Sequence, residues 1–134
     1  MTKEQQIIIP STLQHIHMIE SFLEQLRWDC DIDDCQYGNI HLAVVEAVTN
    51  AIMHGNKGDA KKQIVFMMER INGQLKFCVK DQGKGFDMQQ VPDPTLPENK
   101  EKLNGRGVFL IKNLADHVHF RDNGATLEMI FNVG

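Results

Sequence analysis

The chain has few cysteines and no long apolar segment, and these shortages exclude several protein classes. It contains 3 cysteines, an odd number that fits reduced thiols better than a disulfide framework. Cys30 and Cys35 are close in sequence, but no second ligand pair with zinc-site spacing follows them. No apolar run is long enough to span a bilayer, and the first residues have no signal-peptide character. The sequence therefore predicts a cytoplasmic protein that does not act in a membrane.

Strong charge of one sign is also absent. The chain carries 14 Lys and Arg residues against 18 Asp and Glu residues, a formal net charge of -4. Nucleic-acid-binding faces are usually basic, so we expect no direct contact with nucleic acid. With 134 residues and no internal repeat, the chain has the length of one domain, residues 1–134, that can bury a core without disulfide or metal support.

The apolar pattern predicts a strand and a helix at the start of the chain. Residues 5–9 end in three isoleucines and indicate a short strand. Ser11 and Gln14 then have the spacing of a capping box, in which two side chains satisfy free N–H groups at a helix start. Apolar residues at helical spacing extend this first predicted helix to about Arg27.

A second predicted helix extends to about Met53, with Asp33 or Asp34 as its N-cap and Gly55 at its end. Apolar residues surround most of it, so we expect it to be largely buried: Leu42, Val44, Val45, Val48, Ala51 and Ile52. One stripe is nevertheless polar at one-turn spacing: Glu46, Asn50 and His54. A buried carboxylate needs a partner, so this stripe faces either a polar cleft or, in the alternative interpretation, solvent.

Two strands and a long loop follow. Residues 63–71 and 74–80 have strand patterns and flank Asn72-Gly73, a strong hairpin signal. Residues 87–104 contain three prolines and a charged run without an apolar period. Loops of this length inside a domain often act as functional lids, and we expect a lid here.

The last part of the chain predicts a helix over residues 106–115 and a closing hairpin over residues 117–121 and 125–133. The complete order is strand, two helices, hairpin, lid, helix, hairpin. This order predicts an α+β fold, a two-layer sandwich with a mixed, mostly antiparallel sheet covered on one face by about three helices.

Residues 81–86, sequence DQGKGF, directly follow a predicted strand. Gly83 and Gly85 allow the backbone to turn sharply and to approach a ligand closely. Asp81, at the strand end, can accept a hydrogen bond from an exocyclic amine such as that of adenine. A tight turn with a polar cap is the alternative interpretation of this motif.

Gly105-Arg106-Gly107 stands at the start of the last predicted helix. Free N–H groups and the helix dipole favour an anion there, and the Arg106 guanidinium adds a fixed positive charge. A lid hinge is the alternative. No Gly-Lys-Ser/Thr sequence follows, so this is not a Walker loop. The first strand and helix also lack the glycine cluster of a Rossmann fingerprint.

In this order, the three segments resemble the nucleotide motifs of the ATPase superfamily shared by gyrase, Hsp90, histidine kinases and MutL. Residues 46–56 (EAVTNAIMHGN) resemble its N-box, residues 81–86 its first glycine box, and residues 105–108 (GRGV) its second. The HGN ending and the small size are similar to anti-sigma-factor serine/threonine kinases of the RsbW and SpoIIAB type. The resemblance covers about residues 7–131.

This resemblance implies a role for individual residues. Asn50 would supply an amide oxygen to Mg²⁺, Glu46 would be the catalytic base, and Asp81 would bind the adenine amine of ATP or ADP. Residues 87–104 would be the ATP lid. The other positions implied at the nucleotide are His54, Asn56, Lys57, Gly83, Gly85, Phe86, Gly105, Arg106, Gly107, Val108 and Thr126.

Some of these positions carry a more specific implication. Asn56 and Lys57 would contact ribose or phosphate, and Thr126 would lie near the adenine. Gly105 to Gly107 would lie on the phosphates, and Val108 is an apolar residue where leucine is common in the family.

The resemblance also implies a reaction and partners. An ATP- and Mg²⁺-dependent kinase would phosphorylate a serine or threonine of a small STAS-type anti-anti-sigma protein and hold a sigma factor inactive; a homodimer is plausible. A nucleotide-sensing module that grips a partner without catalysis is one alternative. An α+β interaction domain whose glycines are only turns is another. The carboxylate of Glu46 favours the kinase.

The sequence predicts no function for the remaining histidines and cysteines. His117 and His119 lie on one face of a predicted strand, where exposed histidines are more often solvated than metal-bound. The roles of Cys30, Cys35 and Cys78 stay open.

Overall fold

The computed structural model describes residues 3–83 and 103–133, with side chains for residues 4–83, 108–122 and 124–133. Within these residues, five strands form one sheet in the order β1-β2-β3-β5-β4. The elements are β1 (Lys3–Pro10), α1 (Ile16–Asp29), α2 (Asp34–Asn50), β2 (Gln63–Ile71), β3 (Gln74–Lys80), α3 (Leu103–Leu114), β4 (His117–Arg121) and β5 (Thr126–Asn132).

The sheet is antiparallel at every pairing in the described part of the chain. The predicted α+β sandwich is confirmed, although the sheet is not mixed as the sequence suggested. Alternate strand residues point into the core, which the helices complete; Phe66, Phe77 and Met129 are fully buried there. Across the three central strands, Met67, Cys78 and Glu128 share the opposite face. No helix in the described ranges has the length and apolar character needed to cross a membrane.

The capping box predicted at Ser11 and Gln14 is wrong. A short 3₁₀ turn precedes α1, and α1 begins at Ile16 without a side-chain cap. Ser11 is fully buried, and its backbone N–H donates to Lys62 O across the end of the β1–β2 pair. Its hydroxyl accepts a hydrogen bond from Asn56, so it does not cap a helix.

α2 begins as predicted, because the Asp33 side chain accepts a hydrogen bond from Gln36 N at 2.8 Å. The helix is less buried than its apolar pattern suggested: Leu42 is 42% exposed. After Asn50 the backbone continues as a single π-helical turn, Ala51–Gly55. The second predicted helix therefore exists, but its last part has a wider winding than an α-helix.

α3 begins at Leu103, earlier than the predicted start at Arg106. Gly105 to Gly107 therefore lie within the helix, and the free N–H groups of its first turn belong to about residues 103–106. Residues 103 and 104 are helical and do not belong to the predicted lid. The rest of the predicted lid, residues 87–102, lies outside the described residues.

Both predicted hairpins are confirmed. Asn72 and Gly73 have φ of 27° and 78°, and they join β2 to β3 in a two-residue connection. Positive φ at both positions is the requirement that Asn-Gly meets in hairpins. The last hairpin joins β4 to β5 through a 3₁₀ turn, Asp122–Gly124.

Candidate functional site

The polar stripe on α2 contains one unpartnered amide. Glu46 and Asn50 are both half-buried, one turn apart. Among the described side chains, the Asn50 Nδ2 atom is buried and has no hydrogen-bond partner. An unpaired buried amide atom is costly and calls for an explanation. Because the oxygen and nitrogen of an amide are assigned from their surroundings, rotating the amide can present its oxygen instead. Asn50 therefore fits an oxygen ligand for a hard cation.

The π-helical turn Ala51–Gly55 follows Asn50 and brings the backbone close to Asp81, at the end of β3. Asn56 N donates to Ala51 O and Gly58 N to Ile52 O, both at 2.8 Å. Single π-turns of this kind occur frequently at functional sites.

Gly55, at the end of this turn, lies against Asp81. A Cβ atom on Gly55 would be 2.2 Å from Asp81 Oδ2, so only glycine fits without displacement. Gly55 is not among the residues with positive φ. The close approach to Asp81, and not the end of a helix, therefore explains the glycine.

Asp81 is held at the end of β3 by its own backbone and its neighbours. Its N–H donates to Ala125 O at 2.9 Å, and its Oδ1 accepts from Gly83 N at 2.7 Å. The side chain is largely buried, and burial raises the pKa of the carboxyl above its ordinary value. The Gly83 N–H and the Lys62 ammonium oppose this rise in pKa without cancelling it.

Asp81→Asn is expected to raise the midpoint of thermal unfolding by a few degrees at neutral pH without nucleotide. Burial raises the pKa of Asp81 in the folded state, so below its ordinary value of 3.8 the carboxyl is protonated in both states and costs nothing. As the pH rises through the folded-state pKa, ionisation favours the unfolded chain and stability is lost. Thermal unfolding from pH 3 to pH 8 should show the advantage of Asp81→Asn growing with pH. A variant less stable than wild type throughout would contradict this interpretation.

Asn56 does not occupy the position that the resemblance implied for it. It is fully buried, and its amide bonds three protein groups: Ser11 Oγ, Gln63 O and Gln82 N. The implied contact of Asn56 with ribose or phosphate does not fit this position, because no polar atom of its side chain is free. Its neighbours His54 and Lys57 are exposed.

Thr126 and Val108 are both buried. Thr126 is the β5 partner of Lys80, the residue before Asp81, which places it next to the Asp81 backbone. Its hydroxyl donates to Asp122 Oδ2 at 2.7 Å. Val108 lies on the buried side of α3.

Gly83 completes the contact between the two segments. A Cβ atom on Gly83 would lie 1.9 Å from Gly55 O. Gly85 and Phe86 lie outside the described residues, as does the side chain of Arg106; the backbone of Gly105 and Gly107 belongs to α3.

The structure thus brings Asp81, Gly83 and the end of the N-box segment into direct contact. Asn50 stands at the start of the same π-turn, and Glu46 one helical turn before it. Sequence reasoning did not find the contact of Gly55 with Asp81 or the part played by Ser11. The only local signal for the first was the glycine in the HGN ending.

The histidines and cysteines outside the candidate site do not form a metal site in the described part of the chain. The described residues contain no group of three or more His, Cys, Asp or Glu side chains placed to hold a metal ion. His117 and His119 are both exposed. The three cysteines are free thiols, and only Cys78 is buried.

These observations define a two-layer α+β fold whose candidate site lies where the π-turn after α2 meets the end of β3. The family described as Histidine kinase-like ATPase domain matches residues 9–131 of the chain. The chain therefore belongs to the histidine kinase-like ATPase family.

Two curated relatives are named serine-protein kinase RsbW. The chain is 29% identical over 132 residues to the protein from Staphylococcus epidermidis, an alignment that covers 91% of this chain and 82% of that relative. It is 28% identical over 131 residues to the protein from Staphylococcus aureus strain JH9, covering 90% and 81%.

A solved structure shows the same fold. The chain matches the crystal structure of the RsbU and RsbW domains of Rv1364c from Mycobacterium tuberculosis with a TM-score of 0.69 and 16% identity. The match covers 98% of this chain and 32% of that longer chain. At this identity the likeness supports the fold only.

Proposed function

We propose that this chain is an ATP- and Mg²⁺-dependent protein serine/threonine kinase that acts as an anti-sigma regulatory factor in the cytoplasm. It phosphorylates a STAS-type anti-anti-sigma protein and sequesters a sigma factor. The observation that carries the proposal is the Glu46 carboxylate on α2, one turn before Asn50, whose buried Nδ2 atom has no hydrogen-bond partner in the described part of the chain. The relatives named serine-protein kinase RsbW support the same activity.

In this proposal the nucleotide is held from two sides. Asp81 accepts a hydrogen bond from the adenine amine, and the glycines at 55 and 83 leave room for the backbone to approach. The start of α3 favours the phosphates through its free N–H groups and its dipole. Asn50 would hold Mg²⁺ together with phosphate oxygens, and the bound ion supplies neutralisation of the phosphate charge.

Glu46 acts on the acceptor hydroxyl. Its carboxylate removes the proton of the substrate serine or threonine, and the hydroxyl oxygen forms a bond to the γ-phosphorus of ATP. The bond from that phosphorus to the β,γ-bridging oxygen breaks, and ADP leaves with the electron pair. Catalysis then consists mainly of positioning and charge stabilisation, as is typical of phosphoryl transfer.

Asn50→Ala is expected to reduce the Mg²⁺-dependent part of stabilisation by nucleotide. A ligand that binds only the folded chain stabilises it by about 2.7 kcal/mol at 100 times its Kd. Thermal unfolding of wild type with ATP or ADP should therefore shift upwards more in Mg²⁺ than in EDTA. In Asn50→Ala the difference between the two shifts should shrink, because one oxygen ligand of the ion is gone.

Asn39→Ala is the matched control, because it removes an exposed amide from the same helix. It should keep the full Mg²⁺-dependent shift. If millimolar nucleotide shifted neither wild type nor this control, both the kinase and the nucleotide sensor would be excluded.

Catalysis itself is tested with a protein substrate. The purified chain is incubated with Mg-ATP and a small STAS-type protein from the same organism, and the intact mass of that protein is measured. Addition of one phosphate is the expected result. Normal nucleotide binding with no phosphate on the partner would instead identify a sensor that grips its partner without catalysis.

A further inference from the structure

The Asn56 side chain connects three strand ends at the edge of the site. Its Nδ2 donates to Ser11 Oγ at 3.1 Å and to Gln63 O at 3.0 Å, and its Oδ1 accepts from Gln82 N at 2.7 Å. Ser11 follows β1, Gln63 begins β2 and Gln82 follows β3. A carboxamide offers two donors and an acceptor in one plane, and all of these functions are in use here.

A further bond closes this arrangement. The Gln82 side-chain Oε1 accepts from Gln63 N at 2.8 Å. Residue 82 is therefore tied to the start of β2 directly, through its own side chain, and indirectly, through Asn56. Because Asn56 and Ser11 are both fully buried, water does not compete for the bond between them.

The bond to Gln82 N has a consequence for Asp81. This nitrogen belongs to the peptide group that follows Asp81, and the peptide group before Asp81 is held by the bond from its N–H to Ala125 O. Both peptide planes that flank the Asp81 Cα are thus fixed by hydrogen bonds. Fixed flanking planes set the direction in which the Asp81 side chain leaves the backbone.

The carboxylate is then aimed by one more contact. Its Oδ1 accepts from Gly83 N, and Gly83 follows the residue that Asn56 holds. Its Oδ2 lies against the backbone at Gly55, the residue before Asn56. Asn56 therefore lies next to both segments that position the Asp81 carboxylate.

From this geometry we propose that Asn56 is a positioning residue for base recognition: it holds the turn after Asp81 so that the carboxylate can select a purine with a 6-amino group. The inference rests on the proposed nucleotide function, in which Asp81 accepts a hydrogen bond from adenine. It replaces the direct contact with ribose or phosphate that the resemblance implied for Asn56.

The test compares the affinities of ATP and of purine riboside triphosphate, which lacks only the 6-amino group. A hydrogen bond to a charged acceptor corresponds to a preference of roughly 10- to 100-fold for ATP in wild type. Asn56→Ala is expected to lose most of this preference, and the same is expected of Asp81→Ala. Asn56→Ser, whose hydroxyl is too short to reach Gln82 N, is the second variant and is used where Asn56→Ala does not fold.

Ser11→Ala is the matched control. It removes one partner of the same buried amide and should lower the midpoint of thermal unfolding, but it leaves the bond from Gln82 N to Asn56 in place. The ratio of the two affinities should therefore stay at the wild-type value in Ser11→Ala.

The outcomes separate this inference from the function on which it rests. A wild-type chain that binds the two nucleotides equally would overturn recognition by Asp81 and this inference with it. A wild-type preference that survives in the Asn56 variants, with only a lower unfolding midpoint, would make Asn56 purely structural and overturn this inference alone. Loss of the preference in the Asn56 variants but not in Ser11→Ala supports it.

Discussion

Glu46→Ala is expected to lower the rate of phosphoryl transfer by roughly 10²- to 10⁴-fold while leaving ATP affinity unchanged. The carboxylate removes a proton from the acceptor hydroxyl, and this interaction exists only as the reaction proceeds, so its loss lowers the rate and not the binding of ATP. The measurement is the initial rate of phosphate incorporation into the STAS-type partner, with ATP affinity determined separately by titration.

Glu20→Ala is a suitable control for this experiment. Glu20 is an exposed carboxylate on α1 that pairs with His41 at 3.0 Å, away from the α2 stripe. Its removal lowers the negative charge of the chain as Glu46→Ala does, and it should leave the rate unchanged. A normal rate in Glu46→Ala would mean that Glu46 is not the base, and a matching loss of ATP affinity would make it a binding residue.

Much of the fold was predictable from the sequence, because local pattern decides much of it. A run of β-branched and apolar residues marks β2, and Asn72-Gly73 supplies the positive φ values that its hairpin needs. Asp33 caps α2 through a bond to a residue only three positions away. Each of these signals involves neighbours in sequence, so each is visible without the fold.

The errors arise where a distant partner decides. Ser11 has the spacing of a capping box, yet its hydroxyl bonds Asn56, 45 residues further along the chain. Its backbone N–H is used by Lys62 O, which extends the pairing at the end of β1. A local capping pattern cannot compete with these two bonds, and no sequence window that contains only the first helix reveals them.

In the candidate site, too, local motifs were visible in the sequence, but contacts between distant residues were not. The motifs predicted roles for Glu46, Asn50 and Asp81, whereas Gly55 was predicted only to end a helix. Its close contact with Asp81 depends on the π-turn after α2 and on the position of β3. The resemblance placed Asn56 at the nucleotide. Its burial at the ends of three strands is a property of the assembled sheet and could not be read from the sequence.

Gly83→Ala is expected to disrupt the site more than the same change at Gly38, Gly55 or Gly58. The added Cβ would lie 1.9 Å from Gly55 O and 2.6 Å from Gly55 C, so it meets backbone atoms that no side-chain rotation can move away. Either the π-turn or the turn after Asp81 must shift. Overpacking of this kind typically costs about 1–3 kcal/mol.

Both segments that would have to shift belong to the proposed nucleotide site, so ATP affinity should fall together with stability. We expect a loss of affinity of about tenfold or more, measured by titration below the unfolding midpoint of the variant, and a lower midpoint in thermal unfolding. The physical cause is displacement of the Asp81 carboxylate, whose Oδ1 would also lie 3.0 Å from the new Cβ.

Gly38→Ala is the matched control, because it adds the same methyl group where no atom other than its immediate helical neighbours lies within 4 Å. Gly38 is exposed on α2, and alanine favours a helix over glycine by roughly 0.5–1 kcal/mol, so this variant should unfold at a higher temperature with unchanged ATP affinity. Opposite shifts of the two midpoints, with loss of affinity only in Gly83→Ala, would establish that the site needs the close approach of Gly83 to Gly55. Wild-type affinity in Gly83→Ala would show that this contact yields without displacing Asp81, and base recognition would then have to depend on a different part of the turn.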